Sequence, residues 1–167
     1  EFIEFFCSKY ENFNPGNFEI NFITTSGDQH QDIRLDQLGG KGLFSKEIES
    51  HLIDEKVDMA VHSLKDLPQE VSSKLEIVCW LKREDERDVL LSNNGQTIET
   101  LPSHSIIGTS SVRRRSQILK KRKDLNIKLL RGNVDTRIQK LRNNEYDAIV
   151  LAYAGVKRLG KEKEITQ

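Results

Sequence analysis

No apolar run in these 167 residues approaches the ~20 residues that a membrane-spanning helix needs. No signal peptide is visible, and a start at Glu1 rather than Met suggests a trimmed N-terminus. Cysteine is scarce: Cys7 and Cys79 form no metal-ligand spacing, which points to a reduced, cytoplasmic setting. Histidine is equally thin, and His30, His51, His62 and His104 lie scattered without a ligand pattern. No sequence repeat of fixed period is present, which argues against a solenoid. Aromatics are few and formal net charge is zero, yet charged residues are plentiful, as in a globular rather than a disordered chain.

The zero net charge hides an asymmetry. Residues 1–70 carry fourteen Asp/Glu against six Lys/Arg, a net of −8. Residues 113–142 carry twelve Lys/Arg against two Asp, a net of +10. Such a split suggests an anionic partner for the second half.

The hydrophobic pattern predicts alternating helices and strands. Phe2, Phe5 and Phe6 mark one face of a helix over 2–10. Strands are expected at 18–22, 57–63 and 75–81, with a helix from the Gly39-Gly40-Lys41-Gly42 loop to about Lys56. Seven consecutive charged residues, Lys82 to Asp88, read as a solvated hinge. Beyond it the pattern restarts. Short strands are predicted at 89–91, 105–107, 127–130 and 148–152. Helices follow at about 111–123, from Val134 through Leu141, and at 155–159. This implies α/β architecture, with a mostly parallel, helix-covered sheet in each half. The first domain would span 1–82, the hinge 83–88 and the second domain 89–167.

Four segments carry chemistry. In Gly108-Thr109-Ser110-Ser111-Val112-Arg113-Arg114-Arg115 a strand gives way to hydroxyl residues and a helix. Unpaired backbone N–H groups there form a natural anion site. Three arginines in the first turns oppose the helix dipole unless an anion offsets them. Leu130-Arg131-Gly132-Asn133-Val134-Asp135-Thr136-Arg137 repeats the design, with Asn133 able to cap its helix and two arginines able to converge. The strand at 57–63 runs into Ser63-Leu64-Lys65-Asp66-Leu67-Pro68, delivering a carboxylate where ligands sit in open α/β sheets. Gly39-Gly40-Lys41-Gly42-Leu43-Phe44 lacks the spacing of a nucleotide-binding P-loop and fits a lid that presents Lys41 and Phe44. Each has a plainer reading: basic surface helices for the arginines, a simple turn for Asp66.

Together these segments resemble porphobilinogen deaminases. The likeness rests on Gly39–Phe44, Ala60–Pro68, Gly108–Arg114 and Leu130–Arg137. Tyr146–Ala152 with the following Tyr153-Ala154-Gly155-Val156-Lys157-Arg158-Leu159-Gly160 completes it. The motifs come in the family's order and cover nearly the whole chain. The resemblance implies two lobes similar to those of periplasmic binding proteins. It also implies a cytoplasmic, monomeric transferase of tetrapyrrole (haem) synthesis. Family members condense four porphobilinogen molecules head to tail into hydroxymethylbilane and release ammonia, building on a covalent dipyrromethane cofactor.

By the same resemblance Asp66 is the catalytic carboxylate. Lys41, Ser63, Lys65, Thr109, Ser110, Ser111, Arg113, Arg114, Arg131, Arg137 and Arg158 bind the carboxylates of substrate and cofactor. Ala154 and Gly155 line the cofactor's approach, and Phe44 belongs to the lid. No metal, membrane or nucleic acid is expected. A nucleic-acid reading of Arg113 to Lys123 would need aromatic or base-reading residues beside the basic run, and none is found. The remaining alternative is a non-catalytic lobe that binds a small polyanion. The sequence departs from the family in three ways. It starts after the family's first strand, stops before the domain whose cysteine anchors the cofactor, and has Glu86 where a hinge proline is usual. The sequence as given is therefore expected to be inactive alone.

Overall fold

The computed structural model describes residues 2–26, 42, 45–68 and 70–167. These fall into two compact units, one ending at Cys79 and the other running from Trp80 to Gln167.

The first unit opens with helix α1 (Phe2–Lys9). Its packing stripe runs through i, i+4 neighbours. The Phe6 ring meets Phe2, Tyr10, Phe13 and Phe18 at centroid distances of 6.0, 4.7, 5.3 and 5.5 Å. Phe5, expected on the same face, instead lies exposed. Helix α2 (Lys46–Ile53) is shorter than its periodicity predicts; Asp54 ends it, and Lys56 pairs with Asp54 at 2.9 Å.

The expected strands at 18–22, 57–63 and 75–81 form no ladder, and among the described residues this unit contains no strand. The physical reason is that a strand is made by its neighbours. Alternating side chains prepare a segment to pair, but the backbone bonds must come from another segment. Without that pairing, apolar residues written for a buried face stay open. Phe22 is 93% exposed, and Ile20, Val61 and Val78 are also exposed.

The second unit holds a four-stranded, mostly parallel sheet with helices on both faces. Its strands are β1 (Asp88–Ser92), β2 (Ile106–Gly108), β3 (Asn126–Lys128) and β4 (Ala148–Ala152), in spatial order β1-β4-β2-β3. Strand β2 is parallel to β3 and β4, whereas β1 is antiparallel to β4. Helices α3 (Val112–Lys121), α4 (Val134–Arg142) and α5 (Tyr153–Arg158) connect and flank them.

The two-residue period of a strand sorts the core into two layers. Val89, Leu91, Ile149 and Leu151 point to one face, where they meet Ile138 and Leu141 of α4 and Val156 of α5. Leu90, Ala148 and Val150 point to the other, against Ile118 of α3 with Leu101 and Leu125. Strands β1 and β4 are thus apolar on both faces, the pattern of a covered sheet. Leu91, Ile107, Leu130, Ile138, Ile149 and Val156 have essentially no exposed surface. Each such side chain is worth roughly 1.5–3 kcal/mol of burial. The free edge of β1 is met by the final residues: Leu90 donates to Gln167 O at 2.7 Å and accepts from Thr166 N at 2.8 Å.

One polar hub ties the periphery to this core. Arg122, just past α3, donates to the carbonyls of Ile98, Glu99 and Leu101 and pairs with Asp124 at 2.5 Å. Its neighbour Lys121 pairs with Glu99. The Lys121 ammonium lowers Glu99 from 4.5 to about 2, and the Arg122 guanidinium holds Asp124 well below the carboxylate range. Carboxylates depressed in the folded state stabilise it above their unfolded values and lose that stabilisation as pH falls through the folded ones. Stability is therefore expected to be flat above about pH 5 and to decline progressively toward about pH 2. Denaturant titrations across that range check this. Exposure of these pairs keeps the effect small.

Candidate anion-binding site

In the second unit the parallel strands all end on the same side, and the basic residues follow their ends. In open α/β sheets ligands bind in this place. Strand β2 ends at Gly108, buried against the sheet. A Cβ there would lie 2.8 Å from the Tyr146 ring and 3.0 Å from Ile149, so only glycine fits. The chain then turns through Thr109, whose N–H donates to Lys128 O at 3.1 Å and whose hydroxyl accepts from Ser111 N at 3.2 Å. Ser111 caps α3 by accepting from Arg114 N at 3.4 Å. A small cleft of about 60 Å³ opens here, lined by Thr109, Ser110, Ser111, Val112 and Arg115 over Ile127 and Leu129.

Strand β3 leads to Arg131, which is buried, and to Gly132 at φ 113°. Asn133 caps α4 as its sequence position predicts, accepting from Thr136 N at 2.8 Å. One turn on, Arg137 is half-buried and donates from Nε to Gly132 O at 2.7 Å. Burial, with the charges of Arg114 and Arg131 nearby, pulls the Arg137 guanidinium below its ordinary pKa. Arg114 and Arg131, from two separate connections, thus lie close enough to disfavour the charge on Arg137. Such a concentration of positive charge is what an anionic ligand relieves.

Arg114 itself donates to Asp88 at 2.5 Å and to Val150 O at 3.3 Å. Strand β4 completes the set, running directly into α5 with half-buried Ala154 and Gly155 and the exposed Arg158. Arg113 is exposed at the start of α3.

In the first unit, Ser63 precedes a single 3-10 turn, Leu64–Asp66, and Asp66 N donates to Ser63 O at 2.9 Å. Asp66 is half-buried, while Ser63 and Lys65 are exposed. Asp66 lines a cleft of about 410 Å³ with Gly42, Ser45, Lys46, Glu49, Leu67, Pro68 and Glu70. The carboxylate thus sits on a turn after an unpaired segment rather than at the end of a ladder-paired strand. Lys41 and Phe44, expected in a lid, lie outside the described residues. No cluster of His, Cys, Asp and Glu able to hold a metal occurs among the described residues, and no described helix is long and apolar enough to cross a membrane.

Two residues at the start of these elements were not assigned a binding role from the sequence. Arg115 of the anion motif lines the cleft at the start of α3 while remaining exposed. Asp88 was counted in a solvated charge run, although it is the first residue of β1 and pairs with Arg114. Its position directly before Val89-Leu90-Leu91 was the available signal. The strand direction that gives it meaning was not.

Known proteins carry the same pattern. The family model described as "Porphobilinogen deaminase, dipyromethane cofactor binding domain" matches residues 5–167. The porphobilinogen deaminase of Bacillus pumilus is 51% identical over 158 residues, 94% of this chain and 51% of the relative. That of Rickettsia prowazekii is 57% identical over 143 residues, 86% of this chain and 48% of the relative. A third, from an Exiguobacterium species, is 54% identical over 143 residues and is covered over 47% of its length. The chain thus spans about half the length of these curated relatives. A match over nearly all of its residues, joined to relatives sharing half of them, places this chain in the porphobilinogen deaminase family.

Proposed function

We propose that the complete protein carrying this sequence is a hydroxymethylbilane synthase. It would condense four porphobilinogen molecules head to tail into the linear tetrapyrrole hydroxymethylbilane, releasing ammonia, in cytoplasmic tetrapyrrole (haem) synthesis. The observation that carries this reading is that Arg114, Arg131 and Arg137 all follow the carboxyl ends of parallel strands, where the first two bear on the half-buried charge of the third. Porphobilinogen bears an acetate and a propionate, so each added ring brings two carboxylates. Arginine's planar fork binds such groups in bidentate fashion.

The same charge suits a dipyrromethane cofactor, itself a small polycarboxylate, and the matched domain is named for it. When bound, that group supplies the pyrrole carbon on which the chain grows. Thr109, Ser110 and Ser111 at the start of α3, with Arg113, Arg114, Arg131, Arg137 and Arg158, would hold its carboxylates and those of the substrate. Ser63, Lys65 and Lys41 would add contacts from the first half. Ala154 and Gly155 offer little side-chain bulk and would let planar rings approach the backbone. Asp66 would stabilise the cation that remains on the pyrrole when ammonia leaves, and would take up or return protons at the pyrrole nitrogens. The accompanying organisation is two lobes like those of periplasmic binding proteins, with domains at 1–82 and 89–167 joined by a hinge at 83–88, acting as a monomer.

The test is turnover of porphobilinogen by the complete protein, followed by mass spectrometry of the product. Arg137→Gln should raise KM by roughly 10- to 150-fold, the worth of one charge-assisted hydrogen bond. An unchanged KM would remove Arg137 from the site. Carboxylate binding without any turnover would instead identify a non-catalytic polyanion-binding lobe.

A further inference from the structure

Strand β1 is the one antiparallel member of the described sheet, and its direction has a chemical result. The parallel strands end at the crevice, so an antiparallel neighbour begins there. The register makes this explicit, with Asp88 opposite Ala152, the last residue of β4. A carboxylate is thereby placed among arginines at the mouth of the site. Its backbone is anchored on both sides: Arg87 O accepts from Tyr153 N at 2.9 Å, and Val89 pairs with Leu151 in the ladder.

Asp88 Oδ1 accepts from Arg114 Nη2 at 2.5 Å, and Val150 O accepts from Arg114 Nη1 at 3.3 Å. The Arg114 side chain is only 20% exposed, against 43% for Asp88. A long side chain that starts in the first turn of α3 is thus held at its far end by the opposite side of the sheet. Without that hold, the like charge of Arg137 and the dipole of α3 would favour a guanidinium turned to solvent.

We propose that Asp88 is a positioning residue for ligand recognition, acting through Arg114. Together with the Val150 carbonyl it engages two of the five guanidinium N–H groups, and it leaves the remainder for a ligand carboxylate. Pre-setting the guanidinium removes the ordering cost that binding would otherwise carry. This assignment rests on the proposed function for its ligand, but the contact itself does not.

Two measurements on the complete protein separate the two. In the substrate-free protein, ¹⁵N NMR of the Arg114 guanidinium should show hindered rotation about its C–N bonds. Asp88→Asn should release it, and Asp88→Glu should restore it. With porphobilinogen as substrate, Asp88→Asn should raise KM by roughly 10-fold or more, with kcat changed far less. The same substitution should have no further effect in an Arg114→Gln background. Guanidinium rotation unchanged in Asp88→Asn would overturn the proposal, as would an unchanged KM or an undiminished effect without Arg114. Absence of turnover in the parent protein would defeat the functional reading alone, since the NMR comparison still decides what holds Arg114.

Discussion

Replacing Asp66 by alanine in the complete protein is expected to cut porphobilinogen turnover by roughly 10²- to 10⁴-fold, the usual worth of a positioned acid–base group. The loss should fall on kcat. A carboxylate that stabilises a developing cation contributes in the transition state and little to the ground-state complex. Folding should be almost unaffected. Asp66 is half-buried on a turn beside a cleft, and its backbone N–H donates to Ser63 O within that turn. Steady-state kinetics with a thermal melt on the same sample checks both halves of the expectation. Asp66→Asn separates charge from shape, since it keeps the volume and removes the anion. Near-normal turnover in either variant would exclude Asp66 as the catalytic carboxylate.

The largest stability effect is expected at Gly132. Its φ of 113° lies in a region that side chains avoid, and an added Cβ would stand 2.8 Å from Thr136 Cγ2 and 3.0 Å from Thr136 Cβ. Strain of about 1–3 kcal/mol and overpacking of about 1–3 kcal/mol both oppose Gly132→Ala, for roughly 2–6 kcal/mol in all. Thr136 cannot simply retreat, because its N–H is the one that Asn133 caps. Urea unfolding of parent and variant gives the difference directly. The change should also weaken ligand binding, because the Gly132 carbonyl receives the Arg137 Nε hydrogen bond.

Much of the second half was legible in the chain. Val89 to Leu91 and Ala148 to Ala152 are short apolar runs bounded by polar residues, and both are strands. Asn133 before Val134, and Ser111 before Val112, announce helix starts that the structure shows with side-chain caps. These features are local, since propensity and capping act within a few residues. What depended on distant partners was not legible. Val57 to Ser63 has the composition of a buried strand yet forms no ladder, because no described segment supplies its bonds. The convergence of Arg131 and Arg137 is suggested by their motif and a shared role for Arg114 by the family resemblance, but nothing in the sequence marks the contact of Asp88 with Arg114. It follows from the antiparallel direction of β1, and a sequence states no strand direction.

The backbone bonds between Leu90 and the last two residues have a bearing on how this protein behaves in a crowded solution. An outer strand offers a row of open amides and carbonyls to any other extended chain. Residues Val89 to Leu91, apolar on both faces, would make an adhesive edge if left bare. Thr166 and Gln167 occupy that edge, and the Gln167 side chain clasps Ile98 N at 2.8 Å and Glu99 at 3.1 Å from the neighbouring turn. Thr166 and Gln167 thus take up backbone groups that β1 would otherwise present to a foreign strand, which guards this edge of the sheet against edge-to-edge aggregation.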